Sequence, residues 1–239
     1  MVYFLLKRLG SPSDVRRMCD RQGWTPVTKI GLHCYRGSKK VRIEDGLAVR
    51  WGGMFTVPIR TINSPEAASL AAHKPRARKR LAEFGVPIPK TWFSVKDAKV
   101  PFIARPSKHS GGDSFGVIYD KKDFAGDSNW YFSEVIDSQE EYRVYVGSGE
   151  ILGAYKKLFK EGEMRANRAV TGFSWGDMIS VSGEVEKAAL MACEALKLDT
   201  GGVDIMVADK PYVIEVNSTP AISNDQTMNM YIKYFNSLL

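Results

Sequence analysis

The sequence predicts a mixed α/β protein in which a small basic domain precedes a larger domain rich in antiparallel strands. Short apolar runs with period two recur along the chain and are bounded by Gly, Pro, Asn or Asp, which is typical of strands and hairpins. Amphipathic helical patterns stand between some of these runs. Of the 239 residues, 44% are apolar, so the chain has material for one large core or two modest ones.

The first third of the chain predicts a small α/β unit. Residues 2–6 have a strand pattern, residues 11–22 a capped helical pattern, and residues 41–62 short strands around the turn Trp51-Gly52-Gly53. We place this first domain at residues 1–64, and the larger domain at residues 65–239.

A broken helix opens the larger domain. The helical pattern begins at Ser64-Pro65, with Glu66 in its first turn. Pro75 interrupts the pattern, which resumes over residues 76–84 until the sequence VPIP ends it. We therefore predict two short helices rather than one long helix.

The rest of the chain predicts strands, one helix and a final hairpin. Five strand patterns suggest a largely antiparallel sheet, and they cover residues 101–105, 116–119, 130–136, 142–147 and 151–155. A helix is predicted over residues 183–196, and Gly201-Gly202 then leads into the hairpin.

The formal net charge of +7 is concentrated in the first third of the chain. Residues 1–73 contain 12 Lys or Arg against 5 acids, whereas residues 74–239 contain 22 of each. A basic domain of this kind attracts nucleic acid, an anionic acceptor or a phosphorylated metabolite, and it is equally compatible with a plain solvated surface. Arg50 and Arg60, which flank the Trp51-Gly52-Gly53 turn, are our candidates for contact with an anionic acceptor.

Cysteine and histidine spacing excludes several classes of protein. Cys19, Cys34 and Cys193 form no CxxC pair, which argues against a zinc site or a disulfide framework and fits a reducing compartment. The three histidines are isolated, so no metalloprotease or catalytic-triad pattern is present. No segment approaches the ~18 apolar residues that span a bilayer, and the opening YFLL is too short for a secretory signal. We expect a cytoplasmic protein.

The hairpin near the C terminus carries two acids on one face. Two apolar runs, residues 203–208 and 212–217, flank Asp209-Lys210 as the loop. Pairing residue 208 with 211 and 207 with 212 places Asp204 opposite Glu215, with Asn217 on the same face. Because like charges opposite each other destabilise a sheet by roughly 0.2–1 kcal/mol, we expect a cation there. Two carboxylates and an amide oxygen suit Mg²⁺ that is completed by substrate phosphates; the alternative is an edge hairpin whose acids face water.

A glycine-rich loop lies within residues 101–120. Apolar FIA and GVIY bracket two adjacent glycines and three basic side chains, Arg105, Lys108 and His109. Flexible backbone amides and cations of this kind can close over phosphate. It is not a P-loop, because a strand rather than a helix follows the glycines; a plain turn is the alternative.

Two further polar segments suggest nucleotide chemistry. Glu134 and Glu141 lie seven residues apart around a polar turn, where backbone groups can bind an adenine edge and a carboxylate can accept ribose hydroxyls. The segment KKLFKEGEMRANRAVTG contains several cations on either side of Asn167, and cations of this kind can stabilise a transferring phosphoryl group; four of them are Lys156, Lys157, Arg165 and Arg168. Ordinary surface charge is the alternative for each.

Together, in this chain order, the four segments resemble the ATP-grasp superfamily over about residues 65–222. The resemblance is greatest to the carboxylate–amine ligases that add glutamate to a ribosomal-protein C terminus, through KEGEMRANRAVTG and GGVDIMVADKPYVIEVNSTP. It implies two α+β subdomains that sandwich ATP, one of them a lid over about residues 95–133, preceded by the small α/β domain. After Pro220 the chain reads Ala-Ile-Ser, where the glutamate-adding ligases carry glycine and a further acid.

The resemblance also implies a role for individual residues. Phosphates would be contacted by Lys74, Arg105 and the loop residues Ser110, Gly111 and Gly112. Adenine would be held by Glu134, Val135 and Ile136, and the ribose by Glu141. Mg²⁺ or Mn²⁺ would be held by Asp204, Glu215 and Asn217. The reacting phosphate and carboxylate would face Arg143, Lys156, Arg165 and Asn167.

The implied activity is ADP-forming ligation, in which a carboxylate takes the γ-phosphoryl group of ATP and an amine then displaces phosphate to form an amide or peptide bond. The implied partners are ATP, a carboxylate, and an amine from an amino acid, a peptide or a protein terminus. Positioning and charge neutralisation would be the protein's main contribution, because carboxylate and phosphates are all anionic. Two alternatives stay open, which are an ATP-grasp kinase of a small molecule and a nucleic-acid-binding or nucleic-acid-modifying protein that uses its basic first domain.

Overall fold

The computed structural model describes residues 1–7, 13–107, 116–127, 129–138, 140–158, 174–222 and 224–239. Within those ranges the chain forms three β-sheets and five α-helices. No helix in these ranges is long and apolar enough to cross a membrane.

The first sheet has six strands in the order β4-β3-β2-β1-β5-β6. Its elements, with the helix that follows the first strand, are β1 (Val2–Leu6), α1 (Ser13–Gln22), β2 (Thr25–Ile30), β3 (His33–Arg36), β4 (Lys39–Val41), β5 (Leu47–Trp51) and β6 (Thr61–Ile62). Strand β1 pairs in parallel with β2 and β5 and is buried along its whole length. Its unbroken apolar sequence fits a strand that is covered on both faces. The antiparallel β2–β3–β4 meander was not predicted, because its many cations hide the period-two pattern.

Two short helices, α2 (Pro65–Ala72) and α3 (Lys74–Glu83), confirm the prediction of a broken helix, although the break lies at His73 and Pro75 stands in the first turn of α3. The Ser64 hydroxyl caps α2 by accepting the Ala67 amide hydrogen at 3.0 Å. His73 ends α2, and its ring Nδ1 accepts the Arg76 amide hydrogen at 3.4 Å, which caps α3. Proline is tolerated here because an amide in the first turn of a helix has no carbonyl partner within that helix.

The second sheet is a separate four-stranded antiparallel unit in the order β7-β10-β8-β9. Its strands are β7 (Thr91–Trp92), β8 (Phe102–Pro106), β9 (Gly116–Ile118) and β10 (Trp130–Glu134). It has its own core, in which the rings of Phe102 and Phe132 meet edge to face at 5.3 Å. The single sheet predicted over residues 101–155 is therefore wrong, because the strands divide between two sheets after Glu134.

The third sheet has five antiparallel strands in the order β13-β12-β11-β14-β15. Its strands are β11 (Glu140–Gly147), β12 (Glu150–Leu158), β13 (Ser174–Ile179), β14 (Thr200–Val207) and β15 (Pro211–Asn217). Helix α4 (Gly183–Ala195), capped by Ser182, packs its alanine-rich side on one face and confirms the helix predicted there. The residues at the ends of β11, β12, β14 and β15 form the candidate site.

A C-terminal helix, α5 (Asp225–Ser237), lies between the first and third sheets. Phe235 contacts Phe4 of β1 edge to face at 5.5 Å, and Tyr231 lies 5.3 Å from Trp51 of β5 and 5.8 Å from Tyr145 of β11. Aromatic pairs at these distances add to the stabilisation from burial. The sequence analysis assigned no helix here, although this helix joins the two sheets.

Asn63 and Arg50 fix the connection between the first sheet and the third. Asn63 is fully buried with a φ of 61°, and its side chain donates to the Thr200 carbonyl at 2.9 Å. Arg50 is 1% exposed and donates to the carbonyls of Asn63, Gly53 and Phe55 at 2.9, 2.5 and 2.8 Å. The prediction that Arg50 contacts an acceptor is therefore wrong, since its guanidinium is buried and donates hydrogen bonds to three backbone carbonyls.

Candidate active site

The candidate site begins at the β14–β15 hairpin, where Asp204 lies directly opposite Glu215 as predicted. The pairing predicted near the loop is wrong by one residue, because Val207 pairs with Pro211 rather than with residue 212. A bulge at Ile214 restores the register, since Ile205 pairs with Val213 while Asp204 pairs with Glu215. The two carboxylates meet only because of this extra residue.

Helix α3 holds the bulge in place through Arg78. The Arg78 guanidinium, 3% exposed, donates to the Val213 carbonyl at 3.3 Å and also to the Ile214 carbonyl. Burial is the main cause that lowers the pKa of Arg78 to about 10, and the nearby charge of Arg105 contributes to this fall. A bulge leaves backbone groups without ladder partners, so this buried donor stabilises the register that aligns Glu215.

Cations surround each of the carboxylates. Arg143 of β11 lies opposite Asp204 and donates to it through two nitrogens, one of them at 2.8 Å. Lys157 of β12 lies 3.1 Å from the same carboxylate and also contacts Glu141, which it opposes across the strand pair. On the other flank, Lys74 at the start of α3 lies 2.5 Å from Glu215. We call these six residues the charge cluster: Lys74, Glu141, Arg143, Lys157, Asp204 and Glu215.

Burial and the neighbouring cations shift the pKa values of the three carboxylates in the charge cluster. Burial would raise the pKa of Asp204, but Arg143 and Lys157 outweigh burial and lower that pKa to about 2. Burial likewise opposes the ionisation of Glu215, and Lys74 reverses the effect so that its pKa falls below the ordinary value. At Glu141 burial prevails and raises the pKa, with Lys157 offsetting part of the rise. Neighbouring carboxylates with pKa values moved in opposite directions are typical of functional sites.

The structure does not bring Lys156 to this cluster. Lys156 opposes Tyr142 on the other face of the sheet, where its ammonium lies 2.6 Å from Glu140. Adjacent residues of a strand point to opposite faces, so Lys157 enters the cluster and Lys156 does not. No pattern in the sequence distinguishes the two lysines, because they are adjacent and both precede the same basic segment.

The remaining described candidates lie on the second sheet and its exit. Arg105 of β8 lies opposite Tyr131 of β10, and its charge contributes to the lowered pKa of Arg78. Glu134 ends β10, and its carboxylate accepts the Lys90 amide hydrogen at 2.6 Å. The adenine candidates Val135 and Ile136 are half-buried in the connection to β11. Five candidates lie outside the described residues, namely Ser110, Gly111, Gly112, Arg165 and Asn167.

The described oxygens fit a magnesium site that is completed from outside the protein. Asp204 and Glu215 are directly opposed, and Asn217 lies opposite Gly202 on the same hairpin. In the part of the chain that the structure describes, no group of three or more His, Cys, Asp or Glu side chains converges as a metal site. Two carboxylates, one amide and phosphate oxygens are the hard, incomplete ligand set that Mg²⁺ accepts. Gly202 is required in this arrangement, because an added Cβ would lie 2.7 Å from Pro220 and 3.1 Å from Arg143.

Comparison with known families gives a match over the part of the chain that contains five of the six residues of the charge cluster. Residues 131–237 match the RimK-like ATP-grasp domain. The chain is 23% identical to a probable α-L-glutamate ligase of Photobacterium profundum over 90% of this chain and 85% of that protein. It is 26% identical to a probable α-L-glutamate ligase of Shewanella loihica over 67% of this chain and 60% of that protein. The resemblance predicted from the sequence is confirmed.

Solved structures share the fold at low sequence identity. The ATP-grasp ligase PsnB in complex with a minimal precursor superposes with a TM-score of 0.71 and 14% identity, over 98% of each chain. The D-alanine–D-alanine ligase of Bacillus anthracis gives a TM-score of 0.66 and 16% identity, over 99% of this chain and 97% of that one. PsnB has also been solved with minimal precursor, Mg and ADP, and this form gives a TM-score of 0.66 with 15% identity over 95% of this chain and 91% of that one. The predicted ATP-grasp fold is confirmed.

Proposed function

We propose that this chain, which carries a RimK-like ATP-grasp domain on the fold of ATP-grasp ligases, joins a carboxylate to an amine with conversion of ATP to ADP. The observation that carries the proposal is the charge cluster, in which three carboxylates and three cations from five elements meet, four of these elements being strands of the third sheet and the fifth helix α3. A structural ion-pair network alone would be a costly way to stabilise a sheet, because desolvation offsets most of the attraction in buried pairs.

The residues of the cluster suit a reaction between anions. Formation of an acyl phosphate brings a carboxylate against the terminal phosphate of ATP, and cations lower the repulsion between them. Arg143 offers planar, paired donors that match a carboxylate or a phosphate, while Lys74 and Lys157 offer point charges. Carboxylate partners keep these three cations at the site before substrate arrives, so rotation of the lysine side chains is the only rearrangement that phosphate binding needs.

Asp204, Glu215 and Asn217 would hold Mg²⁺, supported by the hard-oxygen ligand set on the hairpin. When bound, the ion would neutralise phosphate charge and orient the phosphates. In the structure Lys74 already pairs with Glu215, and Arg143 and Lys157 already pair with Asp204. We therefore infer that Lys74 and Lys157 turn from these carboxylates towards phosphate when nucleotide binds.

Glutamate is the amine substrate we favour, supported by the names of the two curated relatives. A peptide or protein terminus is the carboxylate we favour, supported by the peptide precursors bound to structural neighbours. The second sheet, with its separate aromatic core, would act as the lid subdomain over about residues 95–133. A cytoplasmic location fits the three free cysteines.

A substrate-pair screen tests this function. ADP release would be measured with ATP and Mg²⁺ against pools of amino acids and peptides, singly and in pairs. We expect release that needs both a carboxylate and an amine, and a drop of orders of magnitude in Glu215→Gln, because that variant loses a metal ligand. Near-wild-type turnover by Glu215→Gln would contradict the site, and ADP release that needs no amine would favour the kinase alternative.

A further inference from the structure

The first sheet contains a second polar site, remote from the charge cluster. A groove of about 650 Å³ lies between the β2–β3–β4 meander and the segment 56–58. We call it the basic groove, and its basic and apolar walls include Lys29, His33, Lys40, Arg42, Ile43 and Val57. Its volume lies within the range of about 300–1,000 Å³ that is typical of ligand sites.

Positive charge dominates the groove and the strands that build it. The segment between Asp20 and Glu44 contains six Lys or Arg and no acid. Arg42 pairs with Glu44 at 2.8 Å, with both side chains mostly exposed. Lys40 Nζ lies 3.3 Å from His33 Nε2 and can donate to the neutral ring. Neither Lys29 nor Lys40 forms an ion pair with an acid in the described part of the chain, so this positive charge is available to an anionic partner.

The remaining chemistry of the groove favours a peptide over a nucleic acid. Its lining contains apolar side chains, among them Leu32, Val41 and Ile43, and no Phe, Tyr or Trp ring on which a base could stack; the edge of the His33 imidazole is contacted by Lys40. Strand β4 has a neighbour on one side only, so its outer backbone groups can pair with an extended chain. Apolar contacts with alternate side chains, cations for acidic side chains and an open strand edge together match an extended acidic peptide.

We propose that the basic groove binds an acidic segment of the peptide substrate and thereby positions its reacting end at the charge cluster. Strand β4 lies five strand steps from β6, or about 24 Å at ~4.8 Å per step. Asn63, directly after β6, donates to carbonyls at the ends of β14 and β15, namely those of Thr200 and Ser218. An extended peptide covers that distance with about seven or eight residues at ~3.3 Å each, and about four more follow β14 from Thr200 to Asp204 of the charge cluster. The link to catalysis rests on the proposed ligase function, whereas binding to the groove does not.

Binding is tested directly, without nucleotide, so that its outcome is independent of ligase activity. Fluorescence anisotropy would follow a labelled oligo-glutamate about eight residues long on the full chain. The test variant is Lys29→Gln with Lys40→Gln. The matched control is Lys187→Gln with Lys233→Gln, which removes the same charge from exposed positions on α4 and α5. We expect the dissociation constant to rise about five- to tenfold in the test variant and to stay near the wild-type value in the control.

Three results would overturn the proposal. An equal loss of affinity in both double variants would mean that the peptide responds to net charge and not to the groove. Tighter binding of a single-stranded RNA of the same charge than of oligo-glutamate would assign the groove to nucleic acid. Absence of peptide binding to the wild-type protein at low ionic strength would mean that Lys39 and Lys40 only protect the edge strand β4 against edge-to-edge aggregation.

Discussion

Replacing Asp204 by Asn removes the carboxylate that balances two buried cations, and the structure sets the size of the effect. The side chains of Arg143 and Lys157 are 11% and 5% exposed, and both contact Asp204. Breaking a buried ion pair by removing one partner costs about 3–5 kcal/mol, because the remaining charge is left without compensation. Glu215 is more exposed, at 31%, and forms its ion pair with Lys74. We therefore expect Glu215→Gln to lower the free energy of unfolding by only about 1–3 kcal/mol.

Urea unfolding of wild type and the two single variants measures this difference in the free energy of unfolding. The double variant Asp204→Asn with Arg143→Met provides the control, because it leaves the Lys157–Glu141 pair intact. Since the two residues interact directly, we expect the double variant to be about 1–3 kcal/mol more stable than the sum of its single variants predicts. Additive effects, or an equal cost for Asp204→Asn and Glu215→Gln, would refute the argument from burial and pairing.

Acid titration provides a second check on the same carboxylate. The pKa of Asp204 is lowered from 3.8 to about 2 in the folded protein. A lowered pKa stabilises the fold above the unfolded pKa, and this stabilisation is lost as the pH falls from about 4 to about 2. The difference corresponds to about 2 kcal/mol. The free-energy gap between wild type and Asp204→Asn should therefore narrow through that window, and an unchanged gap would contradict the pairing.

Three further predictions follow from the geometry of the site. Lys157→Met should abolish most ADP formation whereas its neighbour Lys156→Met leaves more than half, because only Lys157 enters the cluster; equal losses would contradict the assignment of faces. Mn²⁺ titration followed by electron paramagnetic resonance should show weak Mn²⁺ binding without nucleotide and at least tenfold tighter Mn²⁺ binding with ADP, because Lys74 is paired with Glu215 until a phosphate group binds Lys74 instead. Equal Mn²⁺ affinity with and without ADP would contradict this competition between Lys74 and Mn²⁺ for Glu215. Arg78→Met should weaken this nucleotide-dependent Mn²⁺ binding and lower stability by about 2–4 kcal/mol, because two buried carbonyls lose their donor; unchanged Mn²⁺ binding would show that Arg78 does not position Glu215.

Short sequence patterns were sufficient to predict the hairpin and the helices whose ends are set by neighbouring residues. Period-two alternation and turn residues predicted the β14–β15 hairpin, and a serine cap and Pro75 predicted the two helices of the α2–α3 pair. The register next to the hairpin loop was wrong because the loop contains three residues, 208–210, rather than two. The bulge at Ile214, which restores the Asp204–Glu215 pairing, is bound by Arg78, a residue 136 positions away. No pattern within a short window shows such a contact.

Burial was the second source of error. Arg50 reads as a surface cation in the sequence, yet three backbone carbonyls enclose it. Lys156 and Lys157 are chemically identical in the sequence, and only the pairing of β12 with β11 decides which of them meets Glu141. A usable signal was present in α3, where the spacing of Lys74 and Arg78 by four residues places both on one helix face towards β15.

Oxygen transfer tests the central claim most directly, which is that a carboxylate takes the γ-phosphoryl group of ATP and that an amine then displaces this group as free phosphate to form an amide. An oligo-glutamate peptide labelled with ¹⁸O in its carboxylates would be incubated with unlabelled glutamate, ATP and Mg²⁺, and the released phosphate analysed by mass spectrometry. The account predicts one ¹⁸O atom in each phosphate released, matched by one amide bond formed, and loss of both products in Glu215→Gln. Phosphate that carries no ¹⁸O, or a phosphorylated peptide that persists with the amine present, would contradict ligation through an acyl phosphate.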